Sequence, residues 1–144
     1  MSEQYFGIEL SSVDVLSEWQ SLDGWEARYR QLMLWGKKIA PLPLDMKTDN
    51  ARVTGCETNV WLHAKVSDGV WLFDVDADAR IVKGMIAVVL AAYNHQRGED
   101  ILTFDIDHYF AELGLLKHLS PSRGNGLKAI VDKIKAIVAH SPLN

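Results

Sequence analysis

The chain has one cysteine, Cys56, among its 144 residues. A single thiol cannot close an intrachain disulfide, so nothing in the sequence points to an oxidising compartment. A thiolate zinc site and an iron–sulfur scaffold each need several cysteines, and Cys56 alone supplies neither. Positive charge is also short: 15 Lys and Arg against 19 Asp and Glu leave a net charge of -4. General nucleic-acid binding is therefore not expected, because it needs a basic face to displace counterions. Long apolar runs are missing too. The longest, around residues 85–92, falls far short of the roughly 20 residues of a membrane span. The N-terminus has no basic start and no apolar stretch, so no secretory signal is read and a cytoplasmic protein is expected.

What remains is the composition of a globular protein, 48% hydrophobic and 24% charged. With no linker, repeat or low-complexity segment, residues 1–144 are expected to form one domain, the first ten frayed. Residues 11–20 predict a short helix capped by Ser11 or Ser12, with Val13, Leu16 and Trp19 on one side. Asp23 and Glu26 form a capping-box pattern ahead of Trp25, Tyr29, Leu32, Met33 and Ile39, with Pro41 and Pro43 ending the helix. The period then changes from helical to alternating. Val60, Leu62, Ala64 and Val66 alternate with Trp61, His63 and Lys65, Ser67-Asp68-Gly69 turns, and residues 70–75 return as a hairpin. Residues 52–54 predict a third strand.

Asp76 or Asp78 then caps a helix carrying Ile81, Val82, Met85, Val88, Val89 and Ala92 inward. Residues 99–102 give one turn, and Asp107 caps a short helix over 108–113 that Gly114 interrupts. Ser120-Pro121 starts the last helix, with Leu127, Ile130, Val131, Ile134, Ile137 and Val138 in one stripe. The fold class is α+β: a small antiparallel sheet of about three strands, helices packed on one side, and Trp61, His63 and Lys65 on the other.

Cys56 follows Gly55 and precedes Glu57, Thr58 and Asn59, in a loop immediately before a strand. Loops are where reactive side chains are positioned by a rigid scaffold, yet cysteine is also among the most often buried residue types. Local context leaves a nucleophile and a structural thiol equally open. As a nucleophile, Cys56 can attack the outer sulfur of a donor persulfide, which needs no metal and no second cysteine. A thiol protease needs a histidine beside the sulfur, and no signature joins His63, His95, His108, His118 or His140 to Cys56. Gly124-Asn125-Gly126 with Lys128 lacks phosphate-loop spacing and reads as helix, tolerable where something packs closely on the glycines. Asp74, Asp76 and Asp78 lack the glycine and distal Glu of a calcium loop and read as a solvated strand end with a helix cap. The five tryptophans read as core.

Several blocks together resemble a known family. Trp25-Glu26-x-x-Tyr29 with Gly36 and the following prolines, then Gly55-Cys56-Glu57 running into Val60-Trp61-Leu62, are similar to the SufE/CsdE sulfur-acceptor proteins. So are Asp76-Ala77-Asp78-Ala79 leading to Ile81-Val82-Lys83-Gly84, and Leu119-Ser120-Pro121-Ser122-Arg123-x-x-Gly126-Leu127. The resemblance runs from about Asp23 to the C-terminal helix. Ala77 departs from it, standing where many members carry serine. Gly55-Cys56-Glu57 is nearer the CsdE branch, and residues 101–119 are nearer SufE.

The resemblance implies a fold like that of the scaffold IscU, and a Cys56 that accepts sulfane sulfur from a pyridoxal-phosphate cysteine desulfurase, SufS- or CsdA-like. It further implies that Cys56 stimulates that enzyme and passes sulfur to a downstream acceptor or cluster scaffold, with no independent turnover. The chain would carry no cofactor or metal of its own, the pyridoxal phosphate belonging to the partner. The cysteine loop would tuck against an apolar cavity lined by Val60 and Leu62, or by Trp61. Arg123 matches the family's Ser-Arg motif, either supporting the thiolate or docked partner or tying down the helix start. Gly55 and Glu57 flank the cysteine, and Asp78 matches an acidic position near the loop. The alternative is a non-catalytic module that regulates a desulfurase complex by docking, with Cys56 structural.

Overall fold

The computed structural model describes residues 5–141. Its sheet grows from the alternation in the middle of the chain. Strand β1 (Val60–Ser67) pairs antiparallel with β2 (Val70–Ala77), placing Val60, Leu62, Ala64 and Val66 opposite Ala77, Val75, Phe73 and Trp71 on one face. Asp68 (φ 53°) and Gly69 (φ 78°) make the connecting turn. Positive φ at both central residues is the twist a two-residue hairpin demands, and Asp-Gly supplies it at low cost.

The third strand is not at 52–54. That segment makes a single bridge, Arg52 to Trp61, with backbone bonds Val53 N–H to Val60 O and Leu62 N–H to Ala51 O. The third strand is instead β3 (Gln96–Arg97), paired with Trp71 and Val70 at the other edge. Two residues are too short to show an alternation, and the reversal before them depends on His95 at φ 62°. The class read from the sequence, α+β with a three-stranded antiparallel sheet, is what the structure has.

Helix α3 (Arg80–Tyr93) is apolar on nearly every side, so it sits at the centre rather than on the surface. It packs against β2, against α1 (Ser12–Gln20) and α2 (Gly24–Gly36), and against the last helix, α7 (Pro121–Ala139). Three short helices, α4 (Gly98–Thr103), α5 (Ile106–Leu113) and α6 (Leu115–His118), lead from β3 to α7. The helices cover the face carrying Val60, Leu62, Trp71, Phe73 and Val75, as expected. On the opposite face, His63 Nε2 lies 2.7 Å from Met46 O, and the Lys47 ammonium sits 5.0 Å from the Trp61 ring.

Helix α2 meets α3 at glycines. A Cβ on Gly36 would lie 2.9 Å from both Arg80 O and Gly84 N, and one on Gly84 would overlap the Leu32 carbonyl. Alanine in a helix is ordinarily worth about 1 kcal/mol over glycine. Here the obstacle is backbone, which cannot rotate away, so Gly84→Ala is expected to destabilise by about 2 kcal/mol. Urea unfolding checks the sign; a more stable variant would contradict the close crossing.

Several boundaries differ from the sequence reading. Residues 5–10 are not frayed: Phe6 and Leu10 are buried, and Gly7 (φ 86°) lies hard against Asn94; residues 1–4 lie outside the described residues. On α1, Val15 and Trp19 face the core while Val13 is exposed. The capping box belongs to α1, between Ser11 and Asp14. Asp23 makes no cap bond, because Gly24 (φ 79°) turns the backbone left-handed between it and the helix body. Helix α2 stops at Gly36, well before Pro41, and buries Leu32 and Trp35 while Tyr29 is exposed. Neither Asp76 nor Asp78 caps α3, since β2 runs on to Ala77 and Ala79 takes the cap position. Asp105, not Asp107, caps α5, its carboxylate accepting from His108 N–H at 3.0 Å. Gly114 (φ 63°) and the Ser120-Pro121 start of α7 are as expected, with Ile137 only half-buried on its stripe. Trp19, Trp35 and Trp71 are core, whereas Trp25 and Trp61 are only partly buried.

The cavity beside Cys56 and the family of the chain

The backbone bond from Val53 N–H to Val60 O, 2.8 Å, ties together the two ends of the loop that holds Cys56. Within it Gly55 has φ 93°, a conformation that side chains resist, and a Cβ there would press on Ala129 at 3.3 Å. The turn points Cys56 toward α7, where its thiol donates to Gly126 O across 3.5 Å. A Cβ at Gly126 would lie 3.5 Å from the sulfur, an ordinary contact, so the approach is close without depending on glycine. Of the two glycines early in α7, Gly126 is the one that Cys56 packs against.

Beside the thiol lies a cavity of about 290 Å3. Val60 from β1, Val82 and Met85 from α3, and Ile130 from α7 give it an apolar floor; Glu57, Thr58, Ser120, Ser122 and Arg123 give it a polar mouth. Ser120 is there because it caps α7, accepting from Arg123 N–H at 3.4 Å. Cys56, Glu57 and Arg123 therefore share one cavity, with Gly55 shaping the loop. Asp78 is not part of it. It is exposed and braces the loop's exit, its carboxylate accepting from Asn59 Nδ2 at 2.8 Å and its N–H bonding Asn59 O at 3.1 Å. Of the strand residues expected to line the cavity, Val60 does and Leu62 and Trp61 do not. Sequence reasoning missed Val82, Met85 and Ile130 as site residues, since their apolar spacing reads only as core.

Burial pushes the Cys56 thiol above the ordinary cysteine value, because the thiolate loses solvation there. Donation to Gly126 O also favours the protonated form. The resting site therefore holds a thiol rather than a standing thiolate. Alkylation by iodoacetamide should accordingly need higher pH in the native chain than in the denatured one, where a thiol titrates near about 8.5. A native rate–pH midpoint at or below the denatured one would contradict this.

No histidine lines the cavity. His118 stacks on Trp25 at 4.1 Å, His108 pairs with Glu112, and His140 bonds Ala136 O. A thiol protease thus lacks its base at this site. Among the described residues no three His, Cys, Asp or Glu side chains converge as metal ligands, and no helix is long and apolar enough to cross a membrane.

Comparison with known proteins gives the fold and the family. The fold is shared with the solution structure of a hypothetical protein from Thermus thermophilus, at a TM-score of 0.73 and 24% identity over 89% of this chain and 93% of that one. An uncharacterized SufE-like protein of Rhizobium meliloti is 36% identical over 88% of this chain and 94% of its own length. Another, of Rhizobium etli, is 34% identical over 88% of both. Residues 13–138 match SufE, the Fe–S metabolism associated domain, so the chain belongs to the SufE family and to the sulfur transfer that serves iron–sulfur metabolism.

Proposed function

We propose that Cys56 is a sulfur-carrying residue: it accepts sulfane sulfur from a pyridoxal-phosphate cysteine desulfurase and holds it as a persulfide. The observation that carries this reading is the seating of the chain's one thiol at a cavity with an apolar floor and Arg123 at its mouth. The Cys56 thiolate attacks the outer sulfur of the donor's persulfide. The donor's S–S bond breaks, its cysteine leaves as a thiolate, and a new S–S bond stands on Cys56. Removing that sulfur frees the donor for another cycle, which is stimulation without turnover by the carrier itself. The sulfur then passes to a downstream acceptor or cluster scaffold in the cytoplasm.

The raised thiol pKa has a place in this scheme. Alone, the protein keeps Cys56 protonated on Gly126 O, protected from stray electrophiles. Docking that lifts the loop from α7 removes this bond and brings solvent or partner charge to the sulfur, with the Arg123 guanidinium available at the mouth to favour the anion.

A docking module with a structural Cys56 remains the second reading, favoured by the half-buried, hydrogen-bonded state of the thiol. Intact-mass spectrometry after incubation with a SufS- or CsdA-like desulfurase and cysteine separates the two. The carrier gains the mass of one sulfur atom, lost on reduction. An unchanged mass together with altered desulfurase activity establishes the module instead.

A further inference from the structure

The cavity beside Cys56 is larger than one transferred sulfur requires. It encloses about 290 Å3, whereas roughly 10–15 Å3 of such space holds a water-sized group. That puts it near the lower end of small-molecule sites, about 300 Å3 and upward. Its mouth carries Glu57 and Arg123, side chains of opposite charge. Among the described residues neither belongs to an ion pair. Thr58, Ser120 and Ser122 add hydroxyls to the same rim, and the floor beside the thiol is apolar.

Two free opposite charges above an apolar floor with a sulfur nucleophile suit one class of small molecule, an α-amino acid bearing a thiol. Its carboxylate meets Arg123, its ammonium meets Glu57, and its side chain enters toward Cys56. We propose that the cavity binds a free aminothiol acid, L-cysteine being the simplest, as an acceptor of the sulfur held on Cys56. The inference rests on the persulfide reading above. The acceptor's thiolate attacks the outer sulfur of the Cys56 persulfide, the S–S bond to Cys56 breaks, and Cys56 leaves as a thiolate that takes the acceptor's proton. The products are a Cys56 thiol and the acceptor's persulfide, with no oxidant or reductant consumed.

Binding is tested by titrating the 15N-labelled protein with S-methyl-L-cysteine, which cannot accept sulfur, and following amide shifts. The expected result is saturable shifts confined to the Cys56 loop, the start of α7 and the first turns of α3. Removing the ligand's carboxylate or its amine, or making Arg123→Gln or Glu57→Gln, should each weaken binding about tenfold, the loss of one charge-assisted bond. N-acetyl-S-methyl-L-cysteine methylamide stands in for a cysteine within a partner's chain; equal binding of that probe, or no shifts with any, overturns the inference. Transfer is tested by chasing the sulfur-loaded protein with L-cysteine, cysteamine and 3-mercaptopropionate. The rate should saturate with L-cysteine alone and exceed the others about tenfold per thiolate at low concentration. A chain that loads but shows neither saturation nor charge dependence overturns this inference and leaves the carrier standing. A chain that never gains sulfur overturns the carrier and the acceptor step with it, and the shift titration then reports on amino-acid binding independently.

Discussion

A Cys56→Ser chain is expected to fold and dock normally and to leave its desulfurase at the unaided rate. Serine is slightly smaller and keeps a donor facing Gly126 O, so the loop and the cavity floor have no reason to rearrange. What it loses is the chemistry. A serine hydroxyl is a far weaker nucleophile than a thiol toward sulfur, and an S–O adduct is no sulfur carrier. Stimulation and sulfur uptake should therefore fall together to background while complex formation, followed by gel filtration or calorimetry, stays near wild type. Full stimulation by this variant would falsify the carrier reading and support the docking module, since docking alone would then suffice.

That experiment addresses what the sequence leaves ambiguous about Cys56. Gly55 beside it announces a turn, but the direction of that turn depends on Val53 meeting Val60 and on Ala129 and Gly126 in α7, some seventy residues away. Such contacts are set by tertiary packing and leave no local periodicity. The hairpin was legible because its two-residue alternation and its Asp68-Gly69 turn act over neighbouring residues. Helix α3 was legible as a helix but not as the central one. An all-round apolar pattern shows burial without saying which elements surround it. The caps failed where backbone conformation overruled residue type: Gly24 turned Asp23 away from α2, and the extension of β2 took Asp76 and Asp78 out of reach of α3. Of the candidate site, the residues that flank the cysteine or carry charge could be named in advance. Its apolar floor could not, because Val82, Met85 and Ile130 differ from ordinary core only in facing a void.

Asp76→Ala is expected to cost about 2–4 kcal/mol at neutral pH, because two buried backbone donors, Leu42 and Ala77 N–H, lose their acceptor while both lysine partners can turn to solvent. The sequence reading made Asp76 a solvated strand end; the structure buries it to 1% exposure at the end of β2. There its carboxylate accepts from Leu42 N–H at 3.0 Å and Ala77 N–H at 2.8 Å, and it lies 3.1 Å from the Lys83 ammonium and 3.5 Å from that of Lys47. One carboxylate thus joins β2, α3 and the segment that crosses the outer face of the sheet toward the cysteine loop. Burial alone would raise its pKa, but the two backbone bonds and Lys83 outweigh it and hold the group below the ordinary carboxylate value. The sign of the pH dependence follows. A depressed folded pKa means that the contribution is fully present above about pH 4 and is lost as pH falls through the lower folded value. Asp76→Asn separates this charge effect from side-chain removal. Its stability deficit relative to wild type, measured by urea unfolding, should be constant from about pH 5 to 7 and shrink below about pH 4. A deficit that holds constant down to pH 3 would place the stabilisation in packing rather than in charge. Asp76→Asn should also make Cys56 alkylate faster, if Lys47 and Leu42 carry that anchoring on to the loop; an unchanged labelling rate would confine Asp76 to holding the hairpin against α3.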